Sequence, residues 1–231
     1  MIKNSLINKF VIRRIARALG ELNEQVMYVG GAVVTLYIND PAADEVRPTK
    51  DIDISMCLAT LGELEAMRER LITKGFIQTA ADDVICRFRF DDILVDVMNT
   101  KALGWAPANP WFAPGFTIKN LVDVEGETIQ ILPLPYFLAS KFEAYLNRGQ
   151  NEPRTSHDFE DVVYILDNRT NLVEELLSSP NDVRPFLKTE FEKILQDNVK
   201  KEAIAANLFY EGRTERTKKI LKNLQELVNN L

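Results

Sequence analysis

The sequence is poor in the side chains that build most metal centres and cross-links. Its 231 residues include one histidine and two cysteines. Cys57 and Cys86 both fall in apparent strands and lack metal-ligand spacing. They are expected to be small buried apolar residues in a reducing cytoplasm, not a disulfide or a zinc site. The lone histidine, His157, counts against a metal-dependent phosphoester hydrolase, whose sites are usually histidine-rich, and is expected to open a helix. No apolar run approaches the roughly 20 residues needed to cross a bilayer. The first residues break their apolar positions with charge and offer no secretory core. A cytoplasmic protein with no membrane partner is therefore expected. There is no internal repeat and no low-complexity segment. Basic residues are also outnumbered: 28 Lys and Arg stand against 34 Asp and Glu, a net charge of −6. That balance argues against a general nucleic-acid binder but leaves room for a local basic surface.

What is present is a change of patterning partway along the chain. Residues 4–23 carry apolar positions at helical spacing. Val26–Val29 reads as a short strand, and Gly30-Gly31 turns into a helix through about Ile38. Asn39 to Lys50 is a loop by composition. Strand 51–56 follows, then a helix from about Leu61 to Thr73, stopped near Gly75. Residues 84–90 and 93–98 flank Asp91-Asp92 as a hairpin, and a second hairpin turns at Glu125-Gly126-Glu127. Pro133 and Pro135 mark the change. From Tyr136 onward the pattern is helical, broken near Gly149–Thr155, Ser178–Pro180 and Gly212. The expected fold class is α/β (α+β): a small mixed β-sheet followed by a C-terminal helical bundle. Residues 1–132 would form the α/β domain with its N-terminal helix. Residues 133–231 would form a helical domain closing the active-site cleft, a favoured place for ligands.

The chemistry concentrates on three acids. In Asp51-Ile-Asp53-Ile-Ser-Met the alternation places Asp51 and Asp53 on one strand face, roughly 7 Å apart. Carboxylates at that spacing can share two divalent cations about 3.5–4 Å apart. Asp96 lies in the apolar run Ile93–Met98, where an ionised carboxylate is costly unless a cation compensates it. A metal shared with Asp51 and Asp53 would do so. Gly30 and Gly31, lacking β-carbons, let backbone approach a phosphate at a helix start. Thr35, one turn on, can reach the same phosphates. Arg47 and Lys50 bracket the acidic strand, placed either to neutralise phosphate or to balance the acids.

These residues resemble the catalytic signature of the polymerase-β-like nucleotidyltransferases, and most nearly the AbiEii-type group, which includes toxin components of phage-defence systems. The similar segments are Tyr28-Val-Gly-Gly-Ala-Val-Val-Thr-Leu-Tyr37, Arg47-Pro-Thr-Lys-Asp-Ile-Asp-Ile54 and Asp96. They continue in Leu138-Ala-Ser-Lys141-Phe-Glu-Ala-Tyr-Leu-Asn-Arg148 and in His157-Asp158-Phe-Glu-Asp161. His157 departs from the lysine or arginine that the group often carries there. The resemblance spans residues 28 to 166 and leaves the last 60 or so unassigned. It implies transfer of a nucleoside monophosphate from an NTP, ATP among them, to an acceptor hydroxyl with release of pyrophosphate. Asp51 and Asp53 would ligate two Mg2+ ions, or Mn2+ in their place. Asp96 would hold the catalytic ion and help deprotonate the acceptor. Gly30 and Gly31 would cradle the phosphates, with Lys141 contacting them from the helical side. Asp158 and Asp161, three apart on a helix, would hold Lys141 in place. A cognate antitoxin protein is a partner that the toxin group implies.

The acceptor is left open among an RNA such as tRNA, a protein hydroxyl and an antibiotic. Lys9, Arg13 and Arg17 align on one helix face with Arg14 beside them. Between Lys200 and Lys222 seven basic residues meet three acids. Both features are either solvated helix faces or a surface for RNA. The loop Gly104–Gly115, with Trp105, Trp111 and three prolines, packs over the core or stacks on a base. A catalytically idle nucleotidyltransferase fold, serving to bind or regulate, is the alternative from another class.

Overall fold

The structure, a computed structural model, describes residues 4–49, 51–79, 82, 84–148 and 152–231. The chain divides into two compact units: residues 1–36 with 45–133, and residues 37–44 with 134–231.

Strand alternation organises the first unit. Six strands form one mixed sheet: β1 (Val26–Val29), β2 (Asp51–Met56), β3 (Arg87–Phe90), β4 (Ile93–Asn99), β5 (Asn120–Val124) and β6 (Glu127–Ile131). Their spatial order is β3-β4-β2-β1-β6-β5. β2 runs parallel to β4 and antiparallel to β1, and β1 runs parallel to β6. The two hairpins, β3–β4 and β5–β6, form the edges. Their turns need backbone of positive φ, supplied by Asp91 at 52° and by Glu125 and Gly126 at 53° and 89°. Burial alternates strictly along β4. Ile93, Val95, Val97 and Asn99 are covered, while Leu94, Asp96 and Met98 are half-exposed.

Among the described residues three α-helices belong to this unit: α1 (Asn4–Leu19), α2 (Leu61–Thr73) and α3 (Phe112–Thr117). α1 is shorter than the 4–23 helix expected. Gly20 adopts a φ of 54°, and residues 20–25 continue as a 3₁₀ helix instead. α2 keeps its expected bounds because both ends are signalled locally. Thr60 caps it by accepting from the Glu63 N–H, and the Glu63 carboxylate accepts from the Ala59 N–H. Gly75, at a φ of 89°, ends it. Leu64, Met67 and Leu71 are the residues it buries. α3, a single turn or so inside the tryptophan loop, was not apparent from Phe-Ala-Pro-Gly-Phe-Thr, whose proline and glycine disfavour helix.

The second unit is helical: α4 (Leu134–Asn147), α5 (His157–Asn168), α6 (Leu172–Leu177), α7 (Arg184–Gln196), α8 (Asn198–Ala206) and α9 (Arg213–Asn230). α4 is covered on nearly every side, with ten of its residues buried, Lys141 among them. A helix apolar all round is a core helix, and this one is the centre of its unit. The segment 37–44 is laced to these helices. Tyr37 stacks on Phe137 with ring centroids 4.2 Å apart. The Tyr164 hydroxyl donates to the Asp44 carbonyl, and Arg216 bridges Asp44 and Asp167. Among the described residues no helix is long and apolar enough to cross a membrane.

Candidate active site

The sheet of the first unit brings the three acids together. Asp53 is the direct partner of Asp96 in the parallel β2–β4 ladder. Side chains of such partners leave the same sheet face from strands about 4.8 Å apart. Asp51 shares that face two residues earlier on β2. The apolar residues between them, Ile52, Ile54, Val95 and Val97, are fully covered on the other face.

Gly30 has a further reason to be glycine. A β-carbon there would lie 1.8 Å from the Asp53 Oδ2, and its φ is 76°. The space a side chain would take is filled by the Asp53 carboxylate. The glycine therefore admits an acid to the turn, and no side chain can be added without moving Asp53. Gly31 opens a 3₁₀ helix, residues 31–36, in place of the α-helix expected. Two turns of 3₁₀ helix offer a weaker dipole than a longer α-helix would. Thr35 lies on it, nine-tenths buried, and its hydroxyl has no hydrogen-bond partner among the described residues.

One residue that the sequence reading missed completes this face. Arg87 on β3 is the ladder partner of Asp96. Its Nε and Nη2 donate to the two Asp96 oxygens, each at 2.7 Å. The same Nη2 stands 3.8 Å from Asp51. These hydrogen bonds to Asp96 raise the already high arginine pKa further, so the guanidinium is a permanent charge. The signal for it was available: a two-residue turn at Asp91-Asp92 sets 90 opposite 93, hence 87 opposite 96. Arg-Phe-Arg-Phe then places Arg87 on the acids' face and Phe88 on the covered one. The cation that Asp96 required is thus supplied by the chain itself.

The carboxylates are hard oxygen donors of the kind magnesium and manganese take. Among the described residues no three His, Cys, Asp or Glu side chains converge to hold a metal ion, and Arg87 engages both oxygens of Asp96. The donor chemistry suits a divalent cation, while the Arg87 guanidinium is the cation that Asp96 already holds.

The remaining candidates are placed as follows. Lys50 lies outside the described residues. Arg47 is half-buried in a segment tied to α1, where Asn8 accepts from the Thr49 N–H and hydroxyl. Lys141 is 6% exposed, with its Nζ 3.2 Å from Asp158 and 2.7 Å from Asp161. Arg148 approaches the other Asp158 oxygen at 2.9 Å. His157 is exposed beside Glu160 in the first turn of α5, which Ser156 caps. Cys57 is exposed, correcting the expectation that both cysteines are buried. It follows the end of β2, where alternation no longer dictates burial. Cys86 is buried, and burial pushes its thiol up to about 11, with Asp96 and Asp53 adding to the shift. Trp105 packs edge-on against Phe88 and donates to Glu65.

The basic row on α1 is engaged within its own unit. Arg13 pairs with Glu125, Arg14 with Asp91 and Asp92, and Arg17 with Glu127. Near the C-terminus Lys218 pairs with Glu215, and Arg213 donates to the Leu208 carbonyl.

No family model matches this chain, and no curated protein matches it. Solved structures do. An antigenic nucleotidyltransferase-like protein from Paracoccidioides brasiliensis is similar at 16% identity and a TM-score of 0.48, over 90% of this chain and 96% of that one. JHP933 from Helicobacter pylori is similar at 13% identity and a TM-score of 0.48, over 99% of this chain and 94% of that one. The antibiotic-resistance factor ANT(2'')-Ia is similar at 15% identity and a TM-score of 0.49, over 81% of this chain and 95% of that one.

Proposed function

We propose that this protein is a nucleotidyltransferase, moving a nucleoside monophosphate from an NTP such as ATP to an acceptor hydroxyl. The observation that carries the reading is the gathering of Asp51, Asp53 and Asp96 on one sheet face, with Gly30 making room for Asp53. The residues also resemble the AbiEii-type group in motif and order. In the reaction the acceptor oxygen bonds to the α-phosphorus, the bond to the β-phosphate oxygen breaks, and pyrophosphate leaves.

Asp51 and Asp53 would hold divalent magnesium or manganese, with Asp96 joining them once it leaves Arg87. Bound there, the ions supply charge neutralisation at the attacking and leaving oxygens. Asp96 takes the acceptor proton. Its covered flank limits water on that side and keeps its charge dependent on a neighbouring cation. The Gly30-Gly31 turn orients the phosphates beside Asp53, and the Thr35 hydroxyl is available to them. Lys141 serves the reading from within the helical unit by fixing Asp158 and Asp161.

Two observations bear on the alternatives. The pairing of Arg13, Arg14 and Arg17 with carboxylates favours a small-molecule or protein acceptor over RNA. The grip of Arg87 on Asp96 favours an idle, nucleotide-binding module if that grip never opens. One experiment separates these readings. The protein is incubated with each radiolabelled NTP, Mg2+ or Mn2+, and separate fractions of cell RNA, protein and small hydroxylated molecules. Label in one fraction identifies the acceptor class. NTP binding without any transfer establishes the idle module and ends the enzyme reading. A toxin role, with an antitoxin that blocks it, is tested by growth on induced expression.

A further inference from the structure

We propose that Arg87 is an exchangeable internal cation, which holds Asp96 closed against metal until a triphosphate arrives to take the guanidinium. The proposal rests on the nucleotidyl-transfer reading and names a residue that the motifs do not contain. Arg87 spends its planar fork on both oxygens of Asp96, at 2.7 Å each, and keeps Nη2 3.8 Å from Asp51. A divalent cation at those Asp96 oxygens must share them with the fork and lie beside its positive charge. The pair is only partly covered, with side-chain exposures of 20% and 14%, so water and ligands reach it.

Charge decides what happens on exchange. A divalent cation arriving beside Asp51 and Asp53 competes with the guanidinium for Asp96. Once Asp96 turns to that cation, Arg87 is a half-buried charge without its partner. It cannot shed its proton. It needs another anion with oxygens that suit a fork, and a phosphate is the planar guanidinium's natural partner. The triphosphate that carries its own magnesium therefore supplies both halves of the exchange: a cation for Asp96 and an anion for Arg87. Metal alone supplies one half and is resisted. Binding of metal and triphosphate is coupled through this residue.

The test is calorimetric titration of the full chain with Mn2+ alone, and with Mn2+ plus α,β-methylene-ATP, which resists cleavage at the bond broken in transfer. The variants are Arg87→Gln and Arg87→Lys. Coupling between two ligands typically spans about 5- to 150-fold in affinity. On that scale Arg87→Gln should bind Mn2+ alone about tenfold tighter than the unaltered protein, and the triphosphate complex about tenfold weaker. Arg87→Lys keeps the charge but loses the fork, so Mn2+ alone should again bind tighter, by less. Unchanged or weaker Mn2+ binding in Arg87→Gln overturns the proposal. If that variant does not fold, unchanged Mn2+ binding in Arg87→Lys overturns it. Failure of the underlying reading looks different: the unaltered protein then binds neither Mn2+ nor its triphosphate complex, whatever stands at position 87.

Discussion

Both units set carboxylates against cations, and the two clusters differ in burial. In the helical unit Lys141 and Arg148 face Asp158 and Asp161, two positive charges against two negative. The Lys141, Asp158 and Asp161 side chains are 7%, 4% and 3% exposed. In the sheet unit Arg87 forks Asp96 and stands 3.8 Å from Asp51, which is 40% exposed. Carboxylates as deep as Asp158 and Asp161 are held by cations of their own unit. A carboxylate at an accessible face can also be reached by a cation from solution. Access, more than the number of acids, marks the candidate active site. Lys141 sits within the helical cluster, with its Nζ on two buried carboxylates.

The sharpest way to break this contrast is Lys141→Met. It leaves two carboxylates buried beside an apolar side chain, and removing one partner of a buried pair costs about 3–5 kcal/mol. A urea melt should show a loss of that size. A loss under about 1 kcal/mol, the worth of an exposed pair, would mean that the cluster is looser than described and that Lys141 is available to substrate.

Asp53→Asn asks the opposite question of the sheet unit. Removing one of three crowded negative charges should leave the metal-free melting temperature equal or higher. Nucleotidyl transfer should fall by about a thousandfold, which is about 4 kcal/mol of transition-state stabilisation. Transfer at the unaltered rate would remove Asp53 from the site. A large loss of stability would place it in the same structural category as Asp161.

Gly30→Ala should be intermediate. A left-handed φ costs an L-residue about 1–2 kcal/mol, and the new β-carbon must displace the Asp53 carboxylate. Stability should fall by that amount while Mn2+ binding with triphosphate weakens as well. If the melt moves but metal binding does not, the Asp53 carboxylate is not where the metal binds, and the glycine is only a turn residue.

Local signals carried much of this into the sequence. Alternation in Asp-Ile-Asp-Ile-Ser-Met gave β2 and its acidic face, and Gly75 marked the end of α2. What local reasoning missed depends on partners far along the chain. Arg87 matters because a hairpin register sets it opposite Asp96. The 39–50 loop splits between units because Asp44 meets Arg216, 172 residues away. Residues 31–35 are all buried, in a 3₁₀ helix where an α-helix was expected. Apolar spacing shows that a segment is covered without showing which helix it forms.

The smallest effect expected is that of Arg13→Gln with Arg17→Gln, and it sharpens the comparison at its exposed extreme. The Arg13–Glu125 pair is 3.0 Å long with side chains 28% and 36% exposed, and Arg17–Glu127 is 2.6 Å long with 61% and 28%. Such pairs sit in high dielectric, hold two flexible side chains in place, and are screened by salt. Their loss should cost less than about 1 kcal/mol each, well below the Lys141 cluster. The same weakness means that phosphate can compete for these arginines. If RNA is the acceptor, each lost contact to a single strand lowers the log–log salt slope by about 0.7, so the double variant should lower it by about 1.4. Affinity for triphosphate should not change, because neither arginine touches the acidic face. RNA binding that ignores both the substitutions and added salt would exclude this helix as its surface, and transfer to a protein or small-molecule hydroxyl would then stand alone.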